Sequence, residues 1–136
     1  MFLSKSKQTT KKATKTKMIV ESADEVLSMS MAEKLVEFEG KQYRLRELNE
    51  EQAVAYELEL QDKKGKFDIT KIRRTMIAYS WVNSNGERLV TDSDKLKTMR
   101  RSLAGYLYEE CQKLNRYEPG ELEGLAKNSE AAESSD

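Results

Sequence analysis

The chain has 136 residues, of which 35% are charged, and its 24 basic and 24 acidic residues leave no net charge. With no histidine and one cysteine, it lacks the commonest general base and metal ligand and cannot form an internal disulfide. No run of residues is apolar enough for a membrane span, so we expect one small cytoplasmic domain that makes no contact with a membrane.

The two ends of the chain carry opposite charge. All the charged residues of segment 1–17 are lysines, and the segment has little to bury, so we predict a disordered basic tail. Residues 118–136 are mostly acidic and small, which predicts an acidic, mostly disordered tail. Between them, residues 18–117 are predicted to form a single domain.

The first structured part of the chain is a hairpin. Before it, Ser22 to Glu25 fits a helix-capping box, whereas the alternation of Met29 and Met31 with serines favours an edge strand, and both interpretations stay open. Over residues 34–46, apolar and charged residues alternate on both sides of Gly40, which predicts a small antiparallel β-hairpin. Because a lone hairpin is marginal in water, it must pack on helices.

Two helices are predicted next. Asn49 and Gln52 form a capping box for a helix over 50–62, although the alternation of its apolar residues resembles a strand. After a polar turn at Gly65, Asp68 or Thr70 can start a second helix over 69–82. Its apolar face is continued by the largest apolar side chain of the chain, Trp81, which is expected in the core. Residues 83–86 read as a loop.

The most regular pattern predicts a long helix over 92–115, capped by Thr91 with Asp94 in the capping-box position. Apolar residues recur at steps of three and four along it and form one stripe, which includes Cys111. The stripe must be buried against this chain or a partner. Its candidate partner-binding or self-association residues are Leu96, Met99, Leu103, Leu107 and Leu114.

No pattern of residues predicts catalysis, a cofactor or a metal. Cys111 has no histidine to activate it and lies on the apolar stripe, so it is expected to be a core residue. Adjacent carboxylates such as Glu109 and Glu110 are typical of solvated helix faces, and no glycine-rich phosphate loop occurs. The sequence therefore indicates a non-enzymatic binding protein.

Gly105 is unusual because glycine costs a helix interior roughly 1 kcal/mol relative to alanine. Either the position is simply exposed, or another helix or a second subunit approaches the backbone closely there. The sequence does not separate the two.

An alternative interpretation is a helix-turn-helix over 69–103, in which Arg73, Arg74, Arg100 and Arg101 would face DNA. The connection between the helices is longer than the roughly three to four residues of that motif, and the charge is balanced rather than basic. We expect no nucleic acid as a partner. A small nucleic-acid-binding regulator using the basic tail and these arginines remains the alternative function.

The order of the pieces resembles the tail assembly chaperones of long-tailed, siphovirus-type bacteriophages. The resemblance covers roughly residues 38–129 and is carried by four stretches of sequence: GKQYRLREL, YSWVNSNGERLV, TDSDKLKTMRRSLAGYLYEECQKLN and LEGLAKNS. With the predicted elements, it indicates a mainly α fold with one small antiparallel hairpin packed on about three helices.

The resemblance implies a protein of the host cytoplasm that is absent from the mature virion. Such chaperones coat the apolar, helical tape measure protein before tail tube subunits polymerise, keep it soluble and help to recruit the tube protein. The expected partners are therefore the tape measure protein, the tail tube protein and further copies of the chain in a homo-oligomer.

The family often makes a longer form by ribosomal frameshifting. Ala126-Lys127-Asn128 can be encoded GCA-AAA-AAC, and its A-AAA-AAC run allows tRNAs to re-pair one base back. We therefore expect a possible frameshift position at Lys127 and Asn128, with a longer partner that shares the sequence up to that point.

Overall fold

The computed structural model describes residues 17–134, with their side chains up to residue 128. Contacts divide the chain into two units, Met1–Ser30 and Met31–Asp136. The predicted disorder of residues 1–16 and of residues 135 and 136 lies outside the described residues. The second unit begins later than the boundary predicted at residue 18.

The described part of the first unit, residues 17–30, contains one short helix, α1 (Ala23–Leu27). Ser22 precedes it, but the serine side chain makes no capping hydrogen bond, so the predicted capping box does not form. Met29 and Met31 lie in no strand.

The second unit begins with the predicted hairpin, which consists of β1 (Glu33–Phe38) and β2 (Lys41–Arg46). Its two turn residues, Glu39 and Gly40, both have positive φ angles, 51° and 81°. Such a turn matches the right-handed twist of the flanking strands. Val36 pairs with Tyr43 on the inner face of the hairpin, while Glu33, Leu35 and Glu37 lie on the outer face.

Helix α2 (Glu50–Glu59) starts with the predicted capping box between Asn49 and Gln52. Tyr56 and Leu60, four residues apart, are buried, and Val54 and Leu58 are exposed. The strand-like alternation therefore has a helical explanation, since every second apolar residue faces away from the core. The helix ends three residues before the predicted boundary.

The next predicted helix is confirmed, with a tighter start. A 3₁₀ helix at Ile69–Lys71, capped by Asp68, leads into α3 (Ile72–Ser80). Trp81 follows the helix, forms a β-bridge with Leu45, and packs half-buried with its ring 5.8 Å from that of Tyr43.

The helix predicted over 92–115 is wrong as one continuous element. A second 3₁₀ helix, Ser93–Thr98, is capped by Asp92 rather than Thr91, and α4 (Arg101–Leu114) starts after an extended break at Met99 and Arg100. In an unbroken helix, Leu96 and Arg100 would share one face. Instead Leu96 packs against the core, whereas Arg100 donates two hydrogen bonds, of 2.6 and 2.9 Å, to the Glu39 carboxylate. The change of direction lets both contacts form.

The predicted acidic tail is also corrected. Helix α5 (Glu121–Ser134) occupies most of it, and Leu122 and Ala126 are fully buried in the core. The start of the tail at residue 118 is therefore too early, because the domain needs these side chains.

The result is a mainly α fold with one antiparallel hairpin, as predicted. Within the second unit the hairpin packs on α4, α4 on α3, and α3 on α2. No helix in residues 17–134 is long and apolar enough to cross a membrane.

Candidate partner-binding groove

A groove of about 440 Å³ lies where the two 3₁₀ helices meet the starts of α3 and α4. This volume is within the roughly 300–1,000 Å³ typical of binding pockets. Its floor is aliphatic, and we define it as Ile69, Ile72, Leu96, Met99 and Ala104. Within this floor, the Ile69 side chain is 48% exposed.

The rim of the groove is basic. It consists of Arg73, Arg74, Lys97 and Arg101, and the carboxylate among the described lining residues is Glu123 of α5. A surface with an aliphatic floor and a cationic rim is suited to an amphipathic partner.

Short polar contacts hold Arg74 of the rim in place. The Asp68 carboxylate accepts hydrogen bonds from the backbone N–H and the hydroxyl of Thr70, at 3.0 and 2.7 Å, and the hydroxyl contact holds the pKa of Asp68 below its usual value. The Thr70 carbonyl then accepts a hydrogen bond of 2.8 Å from Arg74. Arg74 also lies 3.7 Å from Asp94, which places it between the two 3₁₀ helices.

The other cations are less constrained. Lys97 lies 3.8 Å from Asp94, a long, solvent-exposed ion pair. Arg73 lies over the Tyr108 ring at 5.6 Å. Arg101 has no ion-pair or hydrogen-bond partner for its side chain within residues 17–128.

A hydrogen-bonded group closes the groove on the α5 side. Tyr108 donates a 2.9 Å hydrogen bond to one oxygen of Glu123 and accepts one from Gln112. Burial, together with the Glu123 contact, raises the pKa of Tyr108. The second oxygen of Glu123 and the Nε of Arg74 are buried without a hydrogen-bond partner in the described part of the chain.

The structure separates the five residues predicted for partner binding. Leu96 and Met99 lie in the groove floor, whereas Leu103 and Leu114 pack half-buried against the core. Leu107 is fully buried. The predicted stripe is thus mainly core. Its first residues, Leu96 and Met99, contribute to the groove because the chain changes direction at Met99 and the second 3₁₀ helix packs on α3.

The four arginines of the helix-turn-helix interpretation do not share one face. Arg73, Arg74 and Arg101 line the groove, but Arg100 pairs with Glu39 at the tip of the hairpin. About twenty residues of 3₁₀ helix and loop separate α3 from α4, in contrast to the short turn of that motif.

Cys111 is buried, and burial raises the pKa of its thiol to about 12. The thiol is therefore protonated at neutral pH, and its prediction as a core residue is confirmed. Glu110 pairs with Lys34 at 2.7 Å, and this hydrogen bond lowers the pKa of the carboxyl. Within the described residues, no cluster of carboxylates or cysteine has the geometry to hold a metal ion.

The groove as a unit was not predicted from the sequence, and Glu123 was missed. Its residues come from four segments spread over residues 69–123, so no local pattern unites them. The available signal was the pair of basic clusters Arg73-Arg74 and Arg100-Arg101, which the helix-turn-helix interpretation placed on one face although Arg100 lies elsewhere.

Comparison with known proteins returns no match. No protein-family model, curated protein or solved structure is significantly similar to this chain.

Proposed function

We propose that the chain is a non-enzymatic tail assembly chaperone of a long-tailed bacteriophage. It binds the helical tape measure protein in the host cytoplasm, keeps it soluble, and helps to recruit tail tube subunits without entering the mature virion. The sequence resemblance supports this function. The observation that carries it is the groove, in whose aliphatic floor Ile69 is exposed and Leu96, Met99 and Ala104 are half-buried.

The groove supports this function through hydrophobic burial. A tape measure helix presents apolar residues at steps of three and four, and each aliphatic side chain that leaves water contributes about 1.5–3 kcal/mol. Several copies along the client cover successive parts of its stripe, so the charged outer faces of the chaperone replace the client's apolar surface. Self-association and a longer frameshifted form belong to the same proposal.

Co-expression with the tape measure protein tests the function, with the soluble fraction of that protein as the measurement. The wild-type chain should raise this fraction. Ile69→Asp should reduce the effect, because it places a charge on the groove floor at a position that tolerates exposure. Leu58→Asp is the matched control, since Leu58 is 61% exposed on α2 and lies outside the groove.

A tape measure protein that stays insoluble beside the wild-type chain would contradict the function. Equal loss with Ile69→Asp and Leu58→Asp would remove the groove as the binding site. The frameshift is decided by the gene, because an AAG codon at Lys127 would break the slippery run.

The basic rim favours nucleic-acid binding as a second candidate function. A protein that neutralises phosphates loses affinity steeply as salt rises. Titration of a duplex oligonucleotide at two salt concentrations therefore separates the candidates, and the chaperone function predicts no tight binding at physiological salt.

A further inference from the structure

We infer that the groove recognises an acidic amphipathic helix, one whose apolar stripe is flanked by Asp or Glu, and this inference rests on the proposed function. It specifies the chemistry of the client: the carboxylates beside the stripe decide which segment of the tape measure protein binds.

The first argument is the charge of the groove. Four cations and one carboxylate are among its described lining residues, although the whole chain is neutral. Besides Glu123, the nearby Asp94 lies 3.7 Å from Arg74 and 3.8 Å from Lys97. Four cations against these two carboxylates leave the groove with an excess of positive charge.

The second argument is that two of these cations are free to pair. Arg101 has no partner for its side chain in the described sequence, and the 3.8 Å contact of Lys97 with Asp94 is exposed on both sides. Exposed ion pairs of this kind contribute little and exchange readily. Carboxylates on an incoming helix can engage both cations without breaking a buried interaction.

The third argument favours a protein partner over a nucleic acid. Proteins that bind single-stranded nucleic acid stack its bases on aromatic side chains, and the described residues that line the groove include none. An aliphatic floor instead matches the side chains of an amphipathic helix. Apolar contacts in the middle and carboxylates at the edges then complement the floor and the rim together.

The test uses two synthetic helical peptides with an identical leucine stripe, one with glutamates and one with lysines at the flanking positions. Binding to the full chain is measured by fluorescence anisotropy. The glutamate peptide should bind at least about tenfold more tightly, a difference of about 1.4 kcal/mol. Equal affinity, or preference for the lysine peptide, would overturn the inference.

Charge reversal locates the effect. Lys97→Glu and Arg101→Glu should each weaken binding of the glutamate peptide several-fold and improve binding of the lysine peptide. Lys95→Glu is the matched control, because Lys95 lies in the same 3₁₀ helix but does not line the groove. Circular dichroism verifies that all three variants fold.

The outcomes separate this inference from the proposed function. If the tape measure protein is solubilised equally by wild type and by Lys97→Glu/Arg101→Glu, the chaperone function stands and the acidic client is wrong. If the peptides discriminate as expected but the tape measure protein stays insoluble, the groove chemistry stands and the function fails. Two results would contradict an acidic helix as the occupant of the groove. One is that the peptide displaces a second copy of the chain, and the other is that a duplex oligonucleotide binds more tightly than either peptide.

Discussion

At the scale of single residues, two glycines have opposite roles. Gly86 has a φ angle of +81°, and a Cβ added there would overlap the guanidinium of Arg46. Gly105 lies within α4, where an added Cβ would meet the Arg73 guanidinium at 3.8 Å, an ordinary contact. Of the two explanations for Gly105, close approach of another helix therefore finds no support among the described residues.

We expect Gly105→Ala to stabilise the fold by about 0.4–1 kcal/mol, because alanine restricts the unfolded chain and fits the helix. Urea denaturation measures the change. An unfolding free energy that falls instead would show that the helix backbone at residue 105 needs glycine. Gly105 also lines a second hollow, to which Arg73 and Arg101 of the groove contribute. Weaker peptide binding by Gly105→Ala would show that a partner contacts the backbone there.

We expect Gly86→Ala to destabilise the fold by more than about 1 kcal/mol, because alanine is strained at positive φ and must displace Arg46. Gly65→Ala is the control, since Gly65 has the same φ angle but a Cβ there would meet just one side-chain atom, at 3.9 Å. The amount by which Gly86→Ala lowers the unfolding free energy more than Gly65→Ala measures the cost of displacing Arg46. Equal losses at both positions would contradict it.

At the scale of elements, the turn that ends α4 fastens it to the rest of the domain through Asn115. The side-chain Oδ1 of Asn115 accepts a 2.8 Å hydrogen bond from the backbone N–H of Leu48, in the segment between the hairpin and α2. Its amide group donates to the Cys111 carbonyl at 3.0 Å and to the Ser80 hydroxyl at 3.4 Å. One side chain thus connects the end of α4, the end of α3 and the segment before α2.

We expect Asn115→Ala to cost about 1–3 kcal/mol, because it leaves partly buried donors and acceptors unpaired. Asn115→Asp keeps the acceptor for Leu48 but places a carboxylate oxygen beside the Cys111 carbonyl at the negative end of α4, so it should be no more stable than the alanine variant. Chemical denaturation of the three proteins checks this order. Wild-type stability in the alanine variant would mean that the three contacts contribute nothing net.

Local signals made some elements predictable. The turn at Gly40 and the capping box of Asn49 and Gln52 each depend on residues close together in sequence, and both form as predicted. The break at Arg100 accompanies a contact with Glu39, sixty-one positions away. Apolar periodicity could not reveal it, because Leu96 and Leu103 pack against the core whether or not the helix is continuous. The groove follows from that break and was unpredictable for the same reason.

At the scale of the whole molecule, tyrosine hydroxyl groups connect the helices. Tyr79 of α3 donates to Glu59 of α2 at 2.6 Å, and Tyr117 donates to Glu57 at 2.9 Å. Tyr56 donates to the Ile72 carbonyl at 3.1 Å, inside the core. Together with the contact of Tyr108, these bonds join α2, α3, α4 and α5, and each needs a protonated phenol.

This arrangement predicts weaker folding at alkaline pH. Burial is the main cause that raises the pKa values of these four tyrosines and of the Cys111 thiol in the folded state. A raised pKa gives stability that is fully present below the unfolded value and is lost as pH rises through the folded one. Since an unfolded cysteine thiol titrates near roughly pH 8.5 and unfolded tyrosine near roughly pH 10, the urea midpoint should be level up to about pH 8, decline above it, and decline more steeply above about pH 9.

Urea titrations from pH 8 to 11 measure the effect. Tyr117→Phe should lower stability at neutral pH but flatten the alkaline decline, because it removes one of the titrating groups. A midpoint unchanged to pH 11 would contradict the role of the phenols.

The position of Ala126 bears on how two products of one gene could coexist. Ala126 is the last residue in chain order whose side chain is described as buried, and Lys127 and Asn128 directly after it are exposed. A reading-frame change at those codons would leave every buried side chain described here untouched. If the proposed frameshift occurs, the shorter and longer products would therefore share the same groove and differ only in the sequence that follows it.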